Sequence, residues 1–457
     1  MPSYTNAKPA RSLPLRRILR VWWPLAASWL LMTAELPLIS AVIARLAQPE
    51  INLAAWGVVF ALSIIIQAPS TMLLAASTAL SRDWASYRKL RRITFGLGVG
   101  LTALHAVIAF TPLYFVVIES MMGAPAEIVE PVRLGLMIMT PWSWGTAYRR
   151  FQQGVLIRFD HAQAVIWGSI LRVSVDGVVL AVGYTLGGWP GVVVGTSAIT
   201  AGVLSEALYA GLRVRPVLNN ELKQAPPVKP VLTLPVFANF YVPLAITMLL
   251  TLIIQPMVSA ALSRMPSALE SLAVWPVVIG VLFVWQSVGI GYNEAVIALL
   301  DEPHAVRGLR HFTTALVVTV SVLLLLMLLT PLATLWFAQV AALAPPLIPL
   351  ATQSLWLGLL LPGLRVLQSW YQGTITYSRH TRGIIEAVIV FLIASGLTLW
   401  GGVLWGQVTG IYVGIVGFVV GFFGQTVWLW YRSRPILQAV QSRDMGQTVL
   451  ERALSAN

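Results

Sequence analysis

Six ionisable residues lie inside long apolar stretches of this 457-residue chain. They are Glu35, Arg172, Asp176, Glu206, Glu294 and Arg365. Ionisable groups at the depth of a bilayer are costly, and they commonly mark the paths of substrates, ions or protons. Since a buried arginine can bind an anion and a carboxylate can bind a proton or a cation, these six are the candidate substrate- and ion-binding residues.

Arg172 and Asp176 are spaced i, i+4, so they lie on one face of a helix. Two interpretations of this pair remain open. Either the two side chains neutralise each other and are structural, or they line a cavity and separate when a substrate binds the arginine.

Glu35 lies two residues before Pro37. A proline removes a backbone donor and bends a helix. Two interpretations of Glu35 follow. Either the bend responds to protonation of Glu35, or the Glu35 side chain forms hydrogen bonds with backbone groups that the kink leaves without a helical partner. Pro37 and its counterpart Pro256 are the candidate hinges, with a fixed kink as the alternative.

The remaining candidates also have two interpretations each. Glu206 and Glu294 lie nearer the ends of their apolar stretches, where they bind a ligand or are merely solvated at a vestibule. Arg365 lies deeper in its stretch, where it is an anion ligand or a packing residue between helices.

The composition shows which environment these residues occupy. Hydrophobic residues make up 57% of the chain and charged residues 10%, and the mean hydropathy is +0.79. An ordinary soluble domain has about 25% charged residues, so a cytosolic enzyme, a secreted domain and a disordered regulator are excluded. About 20 apolar residues span a bilayer as a helix, so the chain has room for about twelve spans and no folded soluble domain.

Several kinds of chemistry are absent from the sequence. The chain has no cysteine, which excludes disulfides, thiol chemistry and cysteine-based metal sites. The patterns DxxD and HExxH and the phosphate-binding loop do not occur, and the five histidines are scattered. We therefore expect no enzyme, no catalytic residue, no metal and no cofactor, although coupling to H⁺ or Na⁺ remains open.

The apolar stretches predict an all-α polytopic membrane protein with twelve transmembrane helices. The first six are predicted at 21–44, 53–79, 93–117, 129–151, 163–185 and 190–212. The other six are predicted at 236–262, 271–299, 312–337, 346–371, 383–403 and 407–430.

The net charge of +13 comes from basic residues in alternate loops. If the helix count is right, these loops share one side with both termini, and the other side has little beyond Arg45 and Arg264. Basic loops are typical of the cytoplasmic side, so we expect both termini in the cytoplasm, a plasma (inner) membrane location and no nucleic-acid partner. The predicted segments are a cytoplasmic N-terminus at 1–20, a first bundle at 21–217, a cytoplasmic linker at 218–235, a second bundle at 236–431 and a cytoplasmic tail at 432–457.

The two bundles are copies of one sequence unit. Pro37 and Pro256 are 256 − 37 = 219 positions apart, and the same offset relates WWPLAASWLLMTAELPLISAVIAR at 22–45 to YVPLAITMLLTLIIQPMVSAALSR at 241–264. The register holds without a gap to RVRPVL at 213–218 and RSRPIL at 432–437. Each copy has six spans, so both insert the same way up, as parallel repeats about a pseudo-twofold axis with a cavity between them.

The repeat also separates shared residues from specialised ones. Four of the candidate charged residues belong to the first copy, and each aligns with a neutral residue of the second copy. The aligned pairs are Glu35 with Ile254, Arg172 with Phe391, Asp176 with Ser395, and Glu206 with Gln425. In the second copy, Glu294 meets Ala75 and Arg365 meets Thr146. We expect Glu35, Arg172 and Asp176 to form the charged centre of the first half.

The pattern resembles the multidrug and toxin extrusion (MATE) superfamily. Each half has a proline near its start, a long apolar stretch ending in a serine and an arginine, and a Leu-Ala-rich start of the next helix: WPLA…SAVIARL…NLAAWG and VPLA…SAALSRM…SLAVWP. The major facilitator alternative fails because its loop motif needs glycine, and the loop here reads SRDWASYRKLRR. Within the superfamily the chain is most similar to the progressive ankylosis branch, through FYVPLA, QPMVSAALSR and VWPVVIGVLFVWQSVGIGYNEA with Glu294.

The resemblance carries expectations of its own. The branch implies export of organic polyanions such as pyrophosphate, citrate or nucleotides. The wider superfamily implies cation-coupled drug export or flipping of lipid-linked precursors, and an important acidic residue in helix 1, the region of Glu35. The expected function is therefore export of a small organic anion by alternating access of two bundles, with a cation-coupled multidrug exporter and a flippase as alternatives. Expected partners are membrane lipids and the small-molecule substrate, and the expected state is a monomer.

Overall fold

The computed structural model describes residues 13–33, 35–159, 161–228, 232–300, 302–378 and 382–455, and these form helices and short connections without a strand. Parts of the predicted N-terminal segment, at 1–12, and of the predicted linker, at 229–231, lie outside the described residues. The helices of the first half are α1 (Leu15–Thr33, resuming as Glu35–Ile43), α2 (Pro49–Thr71, resuming as Leu73–Leu80), α3 (Trp84–Phe110), α4 (Ala126–Arg158), α5 (Ala162–Leu186) and α6 (Gly191–Val217). Those of the second half are α7 (Leu234–Leu252, resuming as Ile254–Leu262), α8 (Ala268–Leu299), α9 (Ala305–Leu329), α10 (Leu347–Leu357, resuming as Leu361–Tyr377), α11 (Arg382–Trp405) and α12 (Gly410–Ser455).

The twelve predicted helices are all present. Ten helices among the described residues are long and apolar enough to cross a membrane; α1, whose residue 34 lies outside the described residues, and the more polar α4 are the other two. Several predicted ends were wrong. Helix α3 begins at Trp84 rather than at 93, because Asp83 caps it: the Asp83 Oδ1 accepts a hydrogen bond from the Ser86 amide at 2.8 Å.

Helices α3 and α9 end earlier than predicted, at Phe110 and Leu329. The next residue in each case is a threonine in extended conformation, followed by a proline that has no N–H to continue the helix. A short π-helical turn follows at Val116–Met121 in the first half and at Trp336–Val340 in the second. The repeat therefore extends to the irregular segments.

The first helix of the second half is divided a few residues before its proline. Helix α7 ends at Leu252 and resumes at Ile254. Pro256 cannot donate to the Leu252 carbonyl, four residues earlier, which accounts for the break. Pro37 likewise cannot donate to the Thr33 carbonyl, and the use of either proline as a hinge stays a prediction.

The two halves exchange the first parts of α1 and α7. The indole Nε1 of Trp22, on α1, donates to the Val288 carbonyl of α8 at 3.1 Å. The hydroxyl of Tyr241, on α7, donates to the Pro69 carbonyl of α2 at 2.7 Å. Trp22 and Tyr241 are 219 positions apart, and so are Pro69 and Val288, so one contact is the pseudo-twofold image of the other.

The repeat axis passes between α2 and α8. A Cβ on Gly57 of α2 would lie 3.4 Å from Cδ of Pro276 on α8, and these two residues are themselves 219 positions apart. This is an ordinary van der Waals distance, so the two helices pack directly against each other at the centre.

One side of the molecule, here called the latch side, is closed by Arg45 and Arg264. Arg45 follows α1 and donates to the carbonyls of Gln339 and, at 2.8 Å, Val340 of the second half. Arg264 follows α7 and donates to the carbonyls of Met121 and, at 2.9 Å, Met122 of the first half. The opposite side carries the basic loops and is called the basic side.

Candidate functional site

Five ionisable side chains of the first half gather in a cluster, called here the charged cluster. Glu35 comes from α1, Arg149 from α4, Arg172 and Asp176 from α5, and Glu206 from α6. All but Arg172 are buried, and Arg172 keeps only 12% of its side chain exposed. Four helices thus bring charges into the apolar interior of one bundle.

Glu206 is the centre of the charged cluster. Its Oε2 accepts from Arg149 Nη1, and its Oε1 accepts from Gln153 Nε2 at 2.8 Å and from the Ser169 hydroxyl at 3.2 Å. A buried carboxylate with this many donors is compensated. The interpretation of Glu206 as a solvated vestibule residue was therefore wrong.

Arg172 joins α5 to α1 and α6. Its Nη2 lies 2.8 Å from Glu35 Oε2, and its Nε lies 3.5 Å from Glu206 Oε2. No ion pair with Asp176 forms within 4 Å among the described residues, so the mutually neutralised i, i+4 pair was a wrong interpretation. The two carboxylates on other helices give the guanidinium a better geometry than its helical neighbour does.

Asp176 has a different environment. It is buried, both carboxyl oxygens lack a hydrogen-bond donor among the described residues, and it faces the Glu35 side chain. The carboxyl lies against α6 at Gly202, where an added Cβ would be 1.8 Å from Oδ1. Glu35 Oε1 likewise lacks a partner. Two buried carboxyl groups that face each other with free oxygens can hold a proton or a Na⁺ ion between them.

The second half repeats this arrangement without charges. Gln368 and Gln425 occupy the positions of Arg149 and Glu206, and their amides are joined by a hydrogen bond of 3.2 Å. Ser395 occupies the position of Asp176, and its hydroxyl donates to the Gly417 carbonyl at 2.9 Å. Phe391, at the position of Arg172, packs against aromatic rings of α12. The scaffold therefore does not need charges here, and the charged cluster is a feature of the first half alone.

Glu294 and Arg365 lie apart from the charged cluster. Glu294, on α8, lies within hydrogen-bonding reach of Trp29 on α1. Arg365, on α10, donates to Gln368 at 3.3 Å, lies 5.4 Å from the ring centre of Phe422, and has no carboxylate within 4 Å among the described residues. It is a half-buried cation with a neutral environment.

Sequence reasoning missed Arg149. It lies near the predicted end of its helix, next to Arg150, and looks like part of a basic loop. Since Gln368 and Gln425 align with Arg149 and Glu206, two polar pairs at matching positions were the available signal. Among the described residues, no group of three metal-binding side chains occurs.

The charged cluster carries three carboxyl groups and two arginines in contact, so one negative charge remains when all are ionised. Arg150 lies nearby, with a buried Nε that lacks a hydrogen bond, but it forms no ion pair within 4 Å among the described residues. The cluster can therefore change its net charge by binding one proton at Asp176 or Glu35. Such a change inside the first bundle would alter the contact between α5 and α1.

The fold is that of MATE transporters, with twelve helices in two parallel repeats. An inward-facing multidrug resistance MATE family transporter of the MOP superfamily is 15% identical over 92% of this chain and 99% of its own, with a TM-score of 0.68. The lipid II flippase MurJ in an inward closed conformation is 10% identical over 92% of this chain and 91% of its own, with a TM-score of 0.70. A MOP superfamily transporter from Pyrococcus furiosus, described by a reverse polarity of its binding pocket that suggests a different function, is 16% identical over 93% of this chain and 96% of its own, with a TM-score of 0.60. No protein-family model and no curated protein matches the chain.

Proposed function

We propose that this protein is a secondary transporter that exports a small organic anion by alternating access of its two bundles. The observation that carries the proposal is the charged cluster, which is present in one half of a twofold scaffold and replaced by neutral residues in the other. The proposal includes a place in the progressive ankylosis branch, a monomer in the plasma (inner) membrane with both termini in the cytoplasm, and no enzymatic step.

Alternating access is supported by the contacts between the halves. On the latch side, the arginines bind backbone carbonyls, contacts that need no rearrangement of a core to break. On the basic side, the first parts of α1 and α7 lie on the opposite half and leave large apolar side chains exposed, among them Trp23, Leu30 and Ile246. A scaffold of two repeat-related halves that is held on the latch side by contacts of this kind is suited to rocking about its centre.

The charged cluster supports coupling to H⁺ or Na⁺. When a proton or Na⁺ binds between Asp176 and Glu35, the negative charge facing Arg172 falls, and the Arg172–Glu35 contact that joins α5 to α1 weakens. Since α1 continues to the latch side through Arg45, the same helix connects the cation site with closure. Helix α1 alone would then couple cation binding to closure of the latch side.

An anionic substrate is supported by cations that have no acidic partner within 4 Å among the described residues. The exposed face of α1 carries Arg16 and Arg20 one turn apart, at the edge of a cavity of about 700 Å³ on the basic side. Arg365 adds a half-buried guanidinium in the second half. The reverse pocket polarity described for the Pyrococcus furiosus neighbour is consistent with substrates of either charge on this fold.

Transport assays on reconstituted vesicles test the proposal. Vesicles loaded in parallel with pyrophosphate, citrate or a nucleotide should release one of them faster with an imposed pH or Na⁺ gradient than without. Asp176→Asn should remove the effect of the gradient, whereas Ser395→Ala, the equivalent position in the second half, should leave it. Release of an organic dye cation instead of any anion would favour the multidrug exporter, and equal release from protein-free vesicles would refute transport of these anions.

A lipid-linked flippase is the second candidate. An apolar cavity of about 810 Å³ lies between α1, α5 and α8, lined by Leu38, Leu180 and Val284 and bordered by the half-exposed Tyr184. A cavity of this size open to the bilayer can admit a lipid chain. A fluorescent polyprenyl phosphate becoming accessible to a quencher across the membrane would favour this candidate, if none of the soluble anions moves.

A further inference from the structure

A second basic site lies on the outer surface of the first half, away from the charged cluster. A cavity of about 640 Å³ lies between α3, α4 and α6. Arg91, Arg92 and Arg215 line the end of this cavity that faces the basic side of the molecule. No carboxylate lies within 4 Å of any of these three guanidinium groups among the described residues. The three positive charges therefore lack an acidic partner within the described protein.

The floor of this cavity is polar and incompletely satisfied. Thr94 and Gln152 line it and are buried, at 4% and 2% exposure, and Thr94 Oγ1 and Gln152 Oε1 have no hydrogen-bond partner within the described part of the chain. On one wall Trp144 and Tyr148 stack, with ring centres 5.2 Å apart and planes at 8°. Buried polar groups without partners are costly, so the floor is suited to a polar ligand that supplies hydrogen bonds.

The rim of the cavity continues into an apolar path toward the centre of the membrane. Phe95 and Val99 lie one turn apart on α3, and Leu212 and Leu208 lie one turn apart on α6, and all four are exposed. Both helices are long and apolar enough to cross a membrane, so these residues extend from the basic end toward the middle of each helix. A ligand that fits has an anionic group at one end and hydrocarbon at the other.

At the corresponding place the second half has a tryptophan, although it keeps two of the arginines. Arg310 and Arg434 align with Arg91 and Arg215, but Trp430 replaces Gly211. The Arg434 guanidinium lies over the Trp430 ring, 3.4 Å from its centre. In the first half Gly211 faces Tyr148, and an added Cβ would lie 2.6 Å from the Tyr148 hydroxyl. Glycine at this position thus keeps the first-half cavity open.

From these features we infer that the cavity binds the phosphate-bearing head group of an anionic phospholipid in the leaflet on the basic side. Arg91, Arg92 and Arg215 bind the phosphate, Thr94 and Gln152 bind polar atoms of the head group, and the acyl chains follow Phe95 and Leu212. Basic pockets between transmembrane helices bind lipid head groups in this way. The inference does not depend on what the protein transports.

Native mass spectrometry of the purified full-length protein with added phosphatidylglycerol tests the inference. The unaltered protein should retain one phosphatidylglycerol, and phosphatidylcholine should not replace it. Arg91→Gln with Arg215→Gln should weaken retention roughly 30-fold, since each basic residue near an anionic surface contributes about 1 kcal/mol and about 1.4 kcal/mol is tenfold. The matched control, Arg310→Gln with Arg434→Gln in the second half, should retain the lipid as the unaltered protein does.

Competition separates a lipid from a soluble phosphate. Millimolar inorganic pyrophosphate that displaced no lipid would agree with the inference, and displacement of the lipid by pyrophosphate at low concentration would assign the site to a soluble anion and overturn it. Equal retention by both double variants would also overturn it.

A photoactivatable phosphatidylglycerol provides a test that needs no variant. In the unaltered protein, cross-links should fall in peptides that contain Arg91, Trp144 or Arg215, and not in those that contain Arg310 or Arg434. Cross-links spread equally over both halves would refute a specific site, even if the arginine variants failed to fold.

Discussion

Arg45 and Arg264 close the same side of the molecule by the same contact, each from its own half to the other. They are 219 positions apart, and the carbonyls that they bind, at Val340 and Met121, are also 219 positions apart. Each arginine binds the end of a π-helical turn, where carbonyls have no helical partner. The latch side is thus held by two identical charge-assisted contacts on either side of the axis.

The first prediction concerns these latches. Arg45→Gln together with Arg264→Gln should shift the population toward a state open on the latch side, because both contacts are lost while the α2–α8 packing remains. Spin labels on cysteines at the exposed and repeat-related Ala126 and Pro345 should show a longer and broader distance distribution. The chain has no native cysteine, so no other thiol competes for the label.

Arg133→Gln is the matched control for the latches. Arg133 lies near the same surface, but it packs on Phe115 of its own half, 5.3 Å from the ring centre. Its loss should leave the distance distribution unchanged. An unchanged distribution in the double latch variant as well would show that the arginines do not hold this side closed.

The second prediction concerns sidedness. Single cysteines in the loop at 118–128 should react in intact cells with a thiol reagent that does not cross membranes, and cysteines at 155–162 should react only after lysis. The reason is the concentration of basic residues on the side of the second loop. The reverse pattern would overturn the cytoplasmic assignment of both termini, and equal reaction of both loops would contradict the helix count.

Much of the fold could be predicted from the sequence, because apolar length, basic loops and a gapless repeat are properties of the chain itself. The exchange of α1 and α7 between the halves could not. Trp22 and Tyr241 look like ordinary interfacial aromatic residues, and only packing shows that each binds a carbonyl of the opposite half.

The candidate site was predicted in part. Glu35, Arg172, Asp176 and Glu206 meet in one cluster, as their absence from the second copy suggested for three of them. Their pairing could not be predicted, since spacing along α5 gives only local neighbours. Glu35 and Glu206 reach Arg172 from two other helices, α1 and α6.

The third prediction concerns the prolines. Pro37→Ala and Pro256→Ala each restore an N–H, which can donate to the carbonyl of Thr33 or of Leu252, so the break in α7 should close. If the break is used in alternating access, transport per folded molecule should fall several-fold while thermal stability stays equal or rises. Pro141→Ala, within the continuous α4, is the control and should change transport little. Unchanged transport by Pro37→Ala and Pro256→Ala would leave a static kink.

The last prediction uses the second half as a template for the first. Arg149→Gln alone leaves Glu206 without its principal cation, and Glu206→Gln alone leaves a buried Arg149 without its carboxylate. Removing one partner of a buried ion pair costs about 3–5 kcal/mol. Each single variant should therefore lower the unfolding midpoint in detergent and the yield of folded protein.

The double variant, Arg149→Gln with Glu206→Gln, recreates the neutral pair that Gln368 and Gln425 form at the same positions. Its stability should return to within about 1 kcal/mol of the unaltered protein, because replacing both partners of a buried ion pair is often neutral. Transport should not return, since Arg172 would keep Glu35 as its only close carboxylate and the charge balance beside Asp176 would change. A double variant that is stable and also transports normally, with the usual response to a pH gradient, would show that this ion pair is structural. One that stays as unstable as the single variants would show that the two halves are not interchangeable here.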